Sequence, residues 1–164
     1  MDTPDARQLI EQLGLAPLPQ EGGWYRETYR STTTCPTPRG ERSLATAIYY
    51  LLTPDTFSAW HRLPGDELYH AYAGDPVELF TIDSDGSLQR TLLGTRIDRD
   101  ERPQHLVAGG LWQASRLVTG GSVALLGTTM SPGFDFADYE HGERADLFAH
   151  YPSHVSLIGE LTRS

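Results

Sequence analysis

"FSAWHRLPGDELYHAYAG", Phe57 to Gly74, is the stretch on which the fold turns. Two strand-like runs, Phe57 to Arg62 and Glu67 to Ala73, flank the turn residues "LPGD", and between them they carry His61, Asp66, Glu67 and His70 among aromatics. Imidazole and carboxylate suit a divalent ion and equally suit a general acid/base pair, so residue type alone leaves both chemistries open. Strand parity orders the side chains. Glu67, Tyr69, Ala71 and Ala73 share one face, while Leu68, His70 and Tyr72 share the other, unless a bulge intervenes. The same alternation groups His61 with Leu63, and Gln113 with Leu111 and Ser115.

Outward from this stretch the texture stays β-rich. Further strands are expected at Trp24 to Arg30, Leu44 to Leu52, Val77 to Asp83, Leu88 to Leu93, Gln104 to Val107, Leu111 to Val118 and Ser122 to Met130. "DSDGS", Asp83 to Ser87, is the firmest hairpin signal. A first helix is expected with Thr3 as N-cap, Pro4 in the first turn and Gly14 as its stop. A second is expected in "YPSHVSLIGELT", capped by Ser153. "TTTCPTPRGERS" reads as a mobile loop, and "PGFDFADYE" as a lid or sheet edge. About nine strands with short helices at either end fit a closed barrel or jelly roll, whose strand edges are covered.

The 164 residues fit one domain: a lead-in over 1–20, a core over 21–139 and a tail over 140–164. A net charge of -9, with its positive charges scattered, argues against a nucleic-acid partner. No apolar run is long enough to span a bilayer, and the acidic, polar N-terminus lacks the pattern of a signal peptide, so no membrane association and a cytoplasmic location are expected. The chain has no Lys, which excludes Schiff-base chemistry and the phosphate-loop lysine. Its one cysteine, Cys35, reads as a free thiol in a loop.

His61, Glu67 and Gly74 stand at the spacing of the first cupin motif, and "AGGLWQ", Ala108 to Gln113, echoes the second, so the chain resembles the cupin superfamily. Leu63 and Gln113 occupy the positions of two usual metal-binding histidines. "EGGWYRETYRS", "WHRLPGDELYHAYAGDPVEL", "AGGLWQASRL" and "SPGFDFADYE" resemble, more narrowly, an RmlC-like cupin branch catalogued as a domain of unknown function. The resemblance covers Glu21 to Tyr139. It implies an all-β double-stranded β-helix, the cupin jelly roll, with a pocket between two sheets and a homodimeric assembly.

The candidate site that follows is His61, Glu67 and Tyr69 as the catalytic set, with His61 paired to Glu67 as base and Tyr69 or Tyr25 as acid. Arg26, Leu63, Gln113, Tyr25 and Trp112 are the candidate ligand-binding residues, Arg26 as an anion clamp and Trp112 as a stacking platform. With two ligands missing, no metal and no other cofactor is expected. His70 is expected on the outer face, at a dimer interface. Three functions remain open: a metal-free isomerase or epimerase of a sugar-like or keto substrate, a non-catalytic module binding a small apolar or aromatic metabolite, and a metal-dependent oxygenase or isomerase.

Overall fold

The computed structural model describes residues 5–163. Its strands are β1 (Ala16–Pro17), β2 (Trp24–Arg30), β3 (Thr34–Thr37), β4 (Gly40–Ser43), β5 (Thr46–Leu52), β6 (Phe57–Arg62), β7 (Glu67–Gly74), β8 (Val77–Ile82), β9 (Leu88–Leu93), β10 (Gln104–Val107), β11 (Trp112–Leu117), β12 (Ala124–Met130) and β13 (Glu140–His141). A six-stranded sheet in the order β1-β2-β5-β12-β7-β10 faces a five-stranded sheet in the order β13-β6-β11-β8-β9, and every pairing between these strands is antiparallel. This interleaving of sequence-distant strands is a jelly roll, the all-β architecture expected from the sequence.

Period-two alternation makes three apolar layers. Between the sheets lie Leu52, Val77, Leu79, Leu93, Val107, Leu117, Ala124 and Leu126. Helix α1 (Ala6–Leu13) covers the outer face of the larger sheet, seating Leu9, Ile10 and Leu13 against Leu51 and Val123. Helices α2 (Arg144–His150) and α3 (Val155–Glu160) cover the smaller sheet, with Leu147, Ile158 and Leu161 on Trp60, Phe80 and Ile82. Among the described residues no helix is long and apolar enough to cross a membrane.

Several local expectations need correction. The expected cap and first-turn residues Thr3 and Pro4 lie outside the described residues. Asp5 is the N-cap of α1, its Oδ1 accepting from the Arg7 amide at 2.8 Å, and Gly14 ends the helix at φ 62° as expected. The C-terminal helix is split: a 3-10 turn over Pro152–His154 precedes α3, Ser153 makes no capping bond, and α2 was not foreseen. The stretch expected to be a mobile loop is the β3–β4 hairpin. Pro36 is tolerated there because a two-stranded ribbon consists only of edge strands.

Candidate functional site

One end of the space between the sheets is hollow. A cavity of about 380 Å³ is lined by Leu18, Glu21, Tyr25, Thr46, Ile48, Tyr50, Leu63, Glu67, Tyr69, Thr128, Met130, Phe134 and Phe136, with Gly14, Ala16, Arg26 and Glu27 completing its rim. The size lies at the low end for sites that enclose a small molecule.

Its floor is built by β7, β11 and β12. Parity turns Glu67 and Tyr69 inward, and both are buried. The register bulge on β7 comes only after Ala71, past the site, so the expected facing holds where it matters. Gln113 reaches across from β11 to join the two. Tyr69 Oη donates to Gln113 Oε1 at 2.7 Å, and Gln113 Nε2 donates to Glu67 Oε2 at 2.9 Å. The Thr128 hydroxyl is a second hydrogen-bond partner of the Glu67 carboxyl. Burial pushes the Glu67 carboxyl above its ordinary range, and the negative charge of Glu21 pushes it further, against the opposing effects of His61, Thr128 and Gln113. Tyr69 is likewise held well above its ordinary value, first by burial and then by the charge of Glu67.

His61 stands behind the wall. A bulge places Ser58 and His61 of β6 opposite Ser115 and Gln113 of β11, so both Ser58 and His61 turn inward although they are three residues apart. The His61 ring is 1% exposed, and its Nδ1 lies 2.8 Å from the Ala59 carbonyl. A carbonyl only accepts, so Nδ1 carries a proton and Nε2 is the atom turned to the other side. That atom is 4.0 Å from Glu21 Oε1. The expected partner, Glu67, makes no hydrogen bond with His61; the carboxyl facing Nε2 is that of Glu21, beyond hydrogen-bond distance.

Glu21 was missed from the sequence, yet its surroundings are specific. Ser58 Oγ donates to Glu21 Oε1 at 2.8 Å, and the Ala59 amide, freed by the bulge, donates to the Glu21 carbonyl at 2.8 Å. Gly22 and Gly23, at φ 97° and 76°, make the turn that brings Glu21 inward. A Cβ on Gly23 would meet the Tyr50 hydroxyl at 2.6 Å, and that hydroxyl donates to the Gly22 carbonyl at 2.7 Å. The acid followed by two glycines was the available signal.

The mouth is closed by the segment expected to be a lid or edge. Phe134 and Phe136 meet edge to face at 4.9 Å in the cavity wall. Their loop is fixed from below, because Arg42 makes two bonds of 2.8 Å to Asp138 and Arg39 a third of 3.0 Å. Beyond it, Tyr139 stacks on the His61 ring at 5.4 Å before β13 pairs with β6. The glycines of the second-motif echo serve packing. A Cβ on Gly109 would meet the Pro64 carbonyl at 2.3 Å, and the Gly109 amide donates to Asp66 Oδ1 at 2.9 Å, tying the two motif loops together.

The remaining candidates divide. Leu63 and Tyr25 line the cavity. Arg26 belongs to its rim, but β2 pairs Arg26 with Tyr49, which packs under α1, and Arg26 Nη1 donates to the Leu13 carbonyl at 3.0 Å; the guanidinium caps a helix rather than clamping an anion. Trp112 is on the opposite face of β11 from Gln113, packed in the outer cluster with the Arg62 guanidinium 4.6 Å above its ring, and is not part of the cavity. His70 faces outward, with Nε2 3.0 Å from Thr129 Oγ1.

These donors do not fit a metal. Leu63 offers none, Glu67 is tied to Gln113, and His61 faces Glu21 and Ala59. Among the described residues no group of three or more His, Cys, Asp or Glu is placed to hold an ion.

Comparison with known proteins agrees with this architecture. Residues 7–142 match the family model "Cupin superfamily (DUF985)". The chain belongs to this cupin family, whose function is unknown. A hypothetical protein from Leishmania major shares 34% identity at a TM-score of 0.91, covering 98% of this chain and 100% of that one. A protein from Shewanella oneidensis shares 35% identity at a TM-score of 0.90, covering 98% and 99%. An uncharacterized protein from Saccharomyces cerevisiae is 28% identical over 145 residues, 80% of this chain and 72% of the yeast protein. Oxalate decarboxylase from Bacillus subtilis, at 15% identity and a TM-score of 0.55, shares the fold alone, over 90% of this cupin and 37% of the decarboxylase.

Proposed function

We propose that this cupin binds a small organic molecule in the cavity and moves a proton on it without a metal, as an isomerase or epimerase of a sugar-like or keto substrate does. The observation that carries the proposal is the pairing of two unlike carboxyl groups across one cavity. Glu67 is buried and biased toward its protonated form; Glu21 accepts from Ser58 Oγ and lies 4.0 Å from His61 Nε2. Two carboxyls facing one site can divide the acid and base roles between them.

In the step that follows, the Glu21 carboxylate takes the proton from carbon next to a carbonyl. The C–H electron pair becomes the C=C bond of the enol as Glu67 gives its proton to the carbonyl oxygen. Return of a proton to carbon, at the other face or the neighbouring atom, completes the isomerisation and restores both carboxyls. His61 acts through Glu21 as a positioning residue, and Gln113 and Tyr69 orient Glu67.

The test is deuterium incorporation from D₂O, read by proton NMR, into the positions next to the carbonyl of a panel of small ketoses, aldoses and aminoketones. Exchange that Glu21→Gln removes supports the proposal, and absence of exchange across the panel contradicts it. The apolar share of the wall, Leu18, Ile48, Leu63 and Met130, favours a second reading, a module that only binds. Ligand affinity without exchange would select it. The proposal includes a cytoplasmic homodimer, with Leu68, His70 and Tyr72 of β7 and the exposed Leu106 of β10 at the interface. Light scattering of the purified chain tests that part.

A further inference from the structure

We propose that the molecule this cavity accepts carries a positively charged amine. The inference deepens the reading of the cavity as a small-molecule site and rests on it.

Charge and surface both select for a cation. Three glutamate carboxyl groups and one arginine line the cavity. Glu27 is already neutralised, since Arg30 Nε and Nη2 hold its two oxygens at 2.9 and 2.7 Å. Arg26 keeps its charge and holds it at the rim, donating to the Leu13 carbonyl. That leaves Glu21 and Glu67 facing the hollow with no guanidinium bonded to either carboxyl group among the described residues; Arg163 Nη2 donates to the Glu21 backbone carbonyl at 3.1 Å, and His61 Nε2 lies 4.0 Å from Glu21 Oε1. Glu67 is 7% exposed, and its hydrogen-bond partners Gln113 and Thr128 are neutral. A carboxylate or phosphate placed here would meet two acids and, among the lining residues, only the Arg26 guanidinium at the rim, and burial would magnify the repulsion. An ammonium meets the opposite: two carboxyl acceptors, and walls of Tyr25, Tyr50, Tyr69, Phe134 and Phe136 whose ring faces attract cations. At about 380 Å³ the space suits a compact amine.

The experiment uses three probes that share one body and differ in charge: benzylammonium, benzyl alcohol and benzoate, each titrated into the full chain at neutral pH by calorimetry. Benzylammonium is expected to bind at least about tenfold more tightly than either of the others. That preference should be lost in Glu67→Gln and in Glu21→Gln, with melting temperature as the folding control for each, and kept in Trp112→Ala, whose ring is outside the cavity. Equal or tighter binding of benzoate or benzyl alcohol overturns the proposal, as does a preference that survives both carboxyl substitutions. Failure of benzylammonium to bind up to its solubility limit overturns it too. None of the probes has a carbon acid next to a ketone or aldehyde. A charge preference without deuterium exchange on the carbonyl panel therefore sinks only proton transfer, and exchange without the preference sinks only the amine.

Discussion

The two ends of the space between the sheets are built from the same strands and differ in what they hold. On β7 the inward positions run from Glu67 and Tyr69 to Ala71; on β12, antiparallel to it, they run from Ala124 and Leu126 to Thr128. On β11 they pass from Gln113 and Ser115 to Leu117. One end is therefore Val77, Leu79, Leu93, Leu117 and Leu126, closed and apolar, and the other gathers Glu21, His61, Glu67, Tyr69, Gln113 and Thr128 around a hollow. Among the described residues the Ser115 hydroxyl, buried on the polar side, has no partner. Burial of such groups costs stability, so the polar end is where the fold yields stability to chemistry and the apolar end is where it recovers it.

Substitutions can break this contrast in turn. Glu21→Gln should lower deuterium exchange on an accepted substrate by about 10²–10⁴-fold, the usual contribution of a positioned base, while leaving the melting temperature near that of the parent. A comparable loss of stability would make Glu21 structural. Leu79→Ala at the closed end should do the reverse, costing about 2–5 kcal/mol in denaturant unfolding through the cavity it leaves, with ligand affinity of the folded protein retained. If exchange fell as sharply as stability, the two ends would not be separable.

Glu67→Gln should sharpen the contrast more gently. A carboxyl whose pKa is raised by folding stabilises the protein below the unfolded value of 4.5 and loses that contribution as pH rises through the folded value. Above the unfolded value Glu67 therefore costs stability that an amide does not, and Glu67→Gln should melt above the parent at neutral pH. The gap should close as the pH is lowered toward about 4, with each kcal/mol worth about 2–4 °C for a chain of this size. Trp112→Ala should move ligand affinity by no more than about 0.5 kcal/mol, as expected away from a site, and a larger change would place Trp112 in the binding path.

Much of the architecture was legible because alternation carries it. The nine expected strands occur with boundaries shifted by at most two residues, and parity alone turns Glu67, Tyr69 and Gln113 inward. The same parity had already set Trp112 opposite Gln113, so its inclusion among the ligand contacts ran against a signal the sequence contained. The bulge at Ala59 and Trp60 left no mark in composition, and without it neither the partnership of Ser58 with Glu21 nor that of His61 with Glu21 could be drawn. Glu21 precedes its strand in a turn, outside any periodic pattern. Thr128 and Tyr50 looked like ordinary strand residues. Helix α2 was missed because its seven residues bury only Leu147, too short a signal for a helical face.

The account depends most on the two carboxyls, Glu67 at the floor of the cavity and Glu21 in its wall. Carbon-detected NMR titration of the glutamate side-chain carboxyls, with Glu67 assigned by loss of its signal in Glu67→Gln, measures this directly and needs no substrate. The account predicts a Glu67 midpoint above the ordinary glutamate range, and a lower one once Glu21→Gln removes the neighbouring charge. A Glu67 that titrates at or below the ordinary range, or that does not respond to Glu21→Gln, would contradict it.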